Sequence, residues 1–260
     1  MTLITHNKCS MMDKIIIAGP CVIESYDAID KIAARLSAIE QKSGTSIIFK
    51  ASFDKANRTS IHSFRGIGME EGLHALYRIK QKYGFSLLTD IHESWQAAPV
   101  AEVVDILQIP AFLCRQTDLV VNAAKTGKIV NIKKGQFLSG IDMQYPIEKA
   151  RISGAKEVWA TERGNMFGYN NLIVDFRNIP AMRKFADRVI MDCTHVLQTP
   201  GGEGAYSGGD NTLAKEMANA AKVFGADGFF FETHTDPQNS KSDKGCIISA
   251  DYFEQIVTNL

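Results

Sequence analysis

Eight short β-rich runs recur along the chain: KIIIAGPC, SIIFKAS, SLLTDIH, DILQIPA, IVNIKKG, VWATERG, RVIMDCTH and GFFFETH. Each is apolar at successive positions, as a strand buried on both faces must be, and most are separated by helical patterns such as AIDKIAARLSAIEQK and EEGLHALYRIKQKYG. Eight β/α units in 260 residues is the size and rhythm of a (β/α)8 TIM barrel. The alternative is an open doubly wound sheet, but no GxGxxG follows the first run, which counts against its dinucleotide-binding version. The chain reads as one domain over 1–260, with residues 1–13 a short N-terminal extension before the first barrel strand. No Pro-, Gly- or Ser-rich linker marks a second domain.

Polar residues collect at one end of these runs. Cys21 and Glu24, Lys50 and Ser52, Asp90 and His92, and Gln108 leading to Arg115 follow the first four. Lys133 and Lys134, Glu162 and Arg163, Asp192 and His195, and Glu232 and His234 follow the rest. In a barrel all eight carboxyl ends meet on one face, where barrel enzymes build their sites. Structural ion pairs account for one or two such residues, not for eight ends in eight strands.

The stretch FKASFDKANRTS delivers Lys50, Lys55 and Arg58 with neither a helical nor a strand period to space them. With Arg115, Lys133 and Arg163 they would ring the face, and this mixture of guanidinium forks and compact ammonium charges suits phosphate and carboxylate together. The cationic character is local: 29 Lys and Arg balance 29 Asp and Glu, which gives no reason to expect nucleic acid or an anionic membrane as partner. Taken singly, Lys134 reads as a solvated surface charge and Phe112 as a core aromatic. No run reaches a membrane span, no signal peptide is read at the start, and five cysteines at irregular spacings speak for a reducing compartment, so the expected address is the cytoplasm. The glycine-rich TPGGEGAYSGGD reads as a mobile connection, with phosphate cradling as the competing reading.

The motifs IIAGPCVIES, FKASFDKANRTSIHSFRG, LLTDIHE, QIPAFLCRQTDL, NIKKGQF, TERGNMFGYNNLIVDFR, DCTHVLQTPGG and FFETHTDPQNSKSD together resemble the 3-deoxy-D-manno-octulosonate 8-phosphate synthases over nearly the whole chain. KANRTS separates them from the related synthases that use erythrose 4-phosphate, where a KPRTS form is usual. The resemblance implies a homotetrameric barrel enzyme that condenses phosphoenolpyruvate with D-arabinose 5-phosphate in Kdo and lipopolysaccharide biosynthesis. It also implies that Lys55, Arg115, Lys133 and Arg163 hold phosphoenolpyruvate, with Lys50, Ser52 and Gln108 beside it. Asn57, Arg58 and Ser60 would take the pentose phosphate, and Phe112 would approach that site in a neighbouring subunit.

Cys21, His195, Glu232 and Asp243 match the ligands of the metal-dependent branch of these synthases; the other branch carries asparagine at the position of Cys21. A thiolate, an imidazole and two carboxylates hold Zn, Fe or Mn, and the donor set does not choose among them. Read without the resemblance, the four lack any compact ligand spacing, and Cys21 after Gly-Pro is an ordinary buried small residue. Lys55, Asp243 and His195 are the implied catalytic residues. Two other readings stay open on the sequence: an aldolase with Lys133 as Schiff-base nucleophile, and an idle barrel that binds sugar phosphates.

Overall fold

The computed structural model describes residues 14–58, 60–166, 171–203 and 206–260, so the extension expected over 1–13 falls outside the described residues. The eight runs form strands β1 (Ile15–Gly19), β2 (Ile47–Lys50), β3 (Ser86–Asp90), β4 (Ile106–Ile109), β5 (Ile129–Lys133), β6 (Val158–Glu162), β7 (Arg188–Asp192) and β8 (Gly228–His234). Each pairs in parallel with the next, and β8 returns to β1 in the register Ile17 to Phe230. That closure makes a barrel and excludes the open sheet.

Helices follow the strands on the outside: α1 (Tyr26–Ser43), α2 (Met69–Tyr83), α3 (Ala97–Ala101), α4 (Thr117–Lys125), α5 (Gln144–Ile152), α6 (Asn178–Met182), α7 (Ala214–Val223) and α8 (Ala250–Thr258). The first shows why they form where they do. Ser25 caps it by accepting the Ala28 N–H, Gly44 ends it at φ 69, and Ile29, Ile32, Ala33, Leu36 and Ile39 recur at helical spacing on the buried face. Among the described residues, no helix is long and apolar enough to cross a membrane.

The interior of the barrel has two storeys. Ile17, Leu88, Ile106, Trp159, Ile190 and Phe230 pack together as an apolar floor, separate from the larger core between strands and helices. Because side chains alternate along a strand, the next inward positions lie two residues further on. Counting in twos from the floor reaches Cys21, Lys50, Asp90, Gln108, Asn131 and Lys133, Thr161 and Arg163, Asp192 and Glu232, all buried. Gly19 allows β1 to lie tightly against β2 below this layer: a Cβ there would fall 2.0 Å from the Lys50 carbonyl oxygen.

The glycine-rich stretch expected as a mobile connection forms an antiparallel pair, Gln198–Glu203 with Tyr206–Gly209, apart from the two residues between them. One of its glycines, Gly209, serves close packing. A Cβ on Gly209 would meet Cys246 Sγ at 2.6 Å and the Leu197 carbonyl oxygen at 2.8 Å. Phe112, expected in the core, is 53% exposed, because it sits in the single-turn 3-10 segment Ala111–Leu113 beyond the end of β4 rather than on the strand.

Candidate functional site

Glu232, fully buried near the end of β8, is the first hub of the polar storey. Its Oε1 lies 3.2 Å from Lys50 Nζ, 3.7 Å from Lys55 Nζ and 3.2 Å from His195 Nε2. Burial works against a charge there, but His195, Lys55 and Lys50 outweigh it and hold the carboxyl well below its ordinary range. The same balance acts on Lys55, where burial opposes the ammonium while the carboxylates of Glu232, Asp90 and Asp243 raise its pKa. Lys50 is fixed further by donating to the Cys21 carbonyl oxygen at 3.1 Å.

Asp192, at the end of β7, is the second hub. One oxygen accepts Lys133 Nζ at 2.6 Å and faces His195 Nδ1 at 2.8 Å, while the other accepts the His195 backbone N–H at 2.9 Å. His195 thus bridges the two carboxylates, with Asp192 on Nδ1 and Glu232 at Nε2. Burial pulls Lys133 below the ordinary lysine range against the opposing pull of Asp192. Phe230 of the floor offers its ring to that ammonium, 4.1 Å from the ring centre.

Cys21 and Asp243 complete the centre. The Cys21 thiol donates to Asp243 Oδ2 at 2.9 Å and lies 2.8 Å from Ser242 Oγ. Burial pushes the thiol pKa up, and Asp243 and Glu232 push it further, so the chain alone keeps Cys21 protonated. Asp243 is the one non-glycine residue with positive φ among the described residues, at 46°. A non-glycine residue adopts that left-handed backbone only at a cost in strain. Arg58 reaches the Asp243 carboxylate at 3.8 Å and also donates to Ser242 Oγ.

The fit of a metal ion can be judged from these atoms. Donor atoms of Cys21, Glu232 and Asp243 all lie within 4.8 Å of one another. Glu232 Oε2 is buried with no hydrogen-bond partner, which leaves a carboxylate oxygen in need of one. His195 stands beside the trio, with Asp192 on Nδ1 and Nε2 toward Glu232, the orientation in which a carboxylate presents an imidazole to a metal. The residues fit a divalent cation.

The remaining expected residues lie around this centre. Ser52 donates to Asp90, which also holds His92 Nε2 at 3.0 Å. Gln108 accepts an amide hydrogen of Asn131 at 3.1 Å. Arg163 is buried, donates to Gln198 Oε1 at 3.3 Å, and keeps a second guanidinium nitrogen without a partner. Among the described residues no carboxylate pairs with it, whereas Lys50, Lys55, Arg58 and Lys133 all face one. Of the six cations read as a ring, four therefore face carboxylates, while the buried Arg163 and the exposed Arg115 have none within ion-pair distance among the described residues. Asn57 is exposed and Ser60 half-buried on the rim. Arg115 is exposed at the same end of the barrel, outside the buried network, where it lines a cavity of about 260 Å³ with Tyr145 and Lys149.

Lys134 is not the solvated surface charge expected from the sequence. It is fully buried, donates to the carbonyl oxygens of Leu138 and Gly164 and to Asn165 Oδ1, and lies 3.3 Å from Glu162 Oε1. It follows the inward-facing Lys133 by one residue and so turns outward, and in a barrel outward means beneath the loops and helices rather than into water. Sequence reasoning also passed over Asn131, Thr161 and Ser242. The first two were within reach, since they stand two residues before Lys133 and Arg163 on the same strand faces; Ser242 lies in a loop and carried no such signal.

A closed parallel barrel whose carboxyl-end face gathers lysines, carboxylates, an imidazole and a thiol belongs to the class of (β/α)8 enzymes, with its polar centre where that class performs its chemistry. The model of the DAHP synthetase I family matches residues 10–259. Relatives named 2-dehydro-3-deoxyphosphooctonate aldolase include that of Wolinella succinogenes, 51% identical across 95% of this chain and 97% of its own. That of Helicobacter hepaticus is 51% identical across 88% of each, and that of a Cyanothece species 54% identical across 88% of this chain and 84% of its own. The chain belongs to the DAHP synthetase I family and, within it, to the 2-dehydro-3-deoxyphosphooctonate aldolases, which bears out the resemblance read from the motifs.

Proposed function

We propose that the chain condenses phosphoenolpyruvate with D-arabinose 5-phosphate and water, giving 3-deoxy-D-manno-octulosonate 8-phosphate and inorganic phosphate, a step of Kdo and lipopolysaccharide biosynthesis. It acts as a homotetramer in the cytoplasm. The observation that carries the reading is the meeting of Lys50, Lys55 and Lys133 with Glu232, Asp192 and His195 at one end of the barrel, in a chain about half identical to proteins named for that octulosonate product.

In this reading Lys55, Lys133, Arg115 and Arg163 hold phosphoenolpyruvate, and Lys50, Ser52 and Gln108 flank it. Arg163 brings a buried guanidinium that no carboxylate occupies among the described residues. Asn57, Arg58 and Ser60 receive the phosphate of the pentose, so Arg58 exchanges Ser242 and Asp243 for it. Phe112, exposed on the rim, reaches the pentose site of a neighbouring subunit.

The new carbon–carbon bond joins C3 of phosphoenolpyruvate to the aldehyde carbon of the open-chain pentose. Water adds at C2, and the resulting hemiketal loses phosphate as its C2–O bond breaks. The lysines remain ammonium clamps: they hold two anions at reacting distance, which removes much of the entropic cost of encounter, and they stabilise the charge that develops. His195, oriented through Nδ1 by Asp192, is placed to carry a proton when it is not serving as a ligand. Cys21, His195, Glu232 and Asp243 would hold a divalent Zn, Fe or Mn ion. Such an ion, when bound, supplies a Lewis acid for the aldehyde oxygen or for a water.

Phosphate release with phosphoenolpyruvate and either arabinose 5-phosphate or erythrose 4-phosphate tests the reading. Turnover with the five-carbon sugar is expected. Turnover with erythrose 4-phosphate alone would move the chain to the other synthases of its family.

A further inference from the structure

Asn131 is buried at the middle of β5, one inward position below Lys133, and nothing in the mechanism above uses it. A buried amide costs free energy unless both its ends are satisfied. Both are: its Oδ1 accepts the Thr161 hydroxyl at 2.7 Å, and its Nδ2 donates to Gln108 Oε1 at 3.1 Å. Three side chains on β6, β5 and β4 therefore form a neutral line that runs in one direction, hydroxyl to amide to amide, across the barrel interior. Its last member, Gln108, is in register with Asn131 on the neighbouring strand and 3% exposed.

We infer that Asn131 is a positioning residue that fixes which end of the Gln108 amide faces the substrate. This rests on the proposed function, in which Gln108 lies beside phosphoenolpyruvate. With Oε1 held by Asn131, the group left to Gln108 is its Nε2 donor, for which no acceptor stands among the described residues. Turning the Gln108 amide over would set that donor against the Asn131 donor and strand a buried polar group, which costs free energy. A donor that adds no charge suits an oxygen of the anionic substrate in a site whose ammonium groups already face carboxylates. An oxygen turned toward the same anion would repel it.

Steady-state kinetics of Asn131→Ala, alone and with Gln108→Leu, tests the inference. Asn131→Ala should raise the KM for phosphoenolpyruvate about tenfold, the equivalent of about 1.4 kcal/mol, with a smaller change in kcat and the KM for arabinose 5-phosphate within about twofold of wild type. In the Gln108→Leu background the same change should move the phosphoenolpyruvate KM by less than about twofold, since there is no amide left to orient. Thr161→Val, which retains the shape of the side chain, should shift the same KM in the same direction by less, and serves if Asn131→Ala melts out. Equal losses for both substrates, or an undiminished Asn131 effect in the Gln108→Leu background, overturns the relay while wild-type turnover leaves the functional reading standing. A wild-type protein that releases no phosphate from the two substrates takes down both.

Discussion

Replacing Lys134 by Met probes a lysine that neither contacts the central hubs nor reaches solvent. The substitution keeps the length of the side chain and removes the ammonium that donates to Leu138 O, Gly164 O and Asn165 Oδ1, 3.3 Å from Glu162 Oε1. Glu162 keeps the Gly164 N–H at 2.7 Å but has no other cation within ion-pair distance among the described residues, and its Oε2 has no partner to begin with. Stranding one partner of a buried ion pair costs about 3–5 kcal/mol, which for a domain of this size lowers the melting midpoint by roughly 6–20 °C.

The pH dependence of that loss has a defined sign. Burial already raises the Glu162 pKa with Lys134 pulling it down, and removing Lys134 raises it further. A carboxyl whose folded pKa lies above its unfolded one is tolerated while protonated, below the unfolded value of about 4.3, and costs stability as pH rises toward the folded value. Thermal melts of Lys134→Met should therefore fall further below wild type at pH 8 than at pH 5. Lys134→Met with Glu162→Gln should recover most of the loss, because a glutamine oxygen still accepts the Gly164 N–H. A single variant that melts within about 2 °C of wild type at pH 8, or a double variant no better than the single, would refute the reasoning.

Two further outcomes concern the chemistry. Lys55→Ala should lower kcat by about a thousandfold or more, because it removes an ammonium from the reacting centre, and near-normal turnover would take Lys55 out of the mechanism. Borohydride added during turnover should leave the protein mass unchanged, since Lys133 acts as an ammonium paired with Asp192; a substrate-sized adduct on Lys133 would restore the Schiff-base alternative.

The strands were legible because burial on both faces leaves uninterrupted apolar runs, and the polar residues that close each run marked which end carries the site. Resemblance brought Cys21, Glu232 and Asp243 together from distant parts of the chain, and in the fold their donor atoms lie within 4.8 Å of one another. What sequence reasoning lost was side, not position. Lys133 and Lys134 are neighbours, yet one faces the barrel interior and the other the packed layer outside it, and a lysine beside a glycine gives no hint of that layer. Asn131 and Thr161 sit inside otherwise apolar runs, where a single amide or hydroxyl does not stand out until the floor residues set the count in twos. Carboxylate pairing was likewise invisible: Lys50, Lys55 and Arg58 are spaced by the chain, but Glu232 and Asp243 come to them from about 180 residues away.

Cys21, His195, Glu232 and Asp243 are proposed to hold a divalent metal on which the condensation depends. Phosphate release from phosphoenolpyruvate and arabinose 5-phosphate, followed alongside metal content as the protein is stripped by a chelator and then reloaded with Zn, Fe or Mn, tests it most directly. Turnover should fall in step with bound metal and return on reloading at about one ion per chain. Undiminished turnover in protein shown to be free of metal would contradict it.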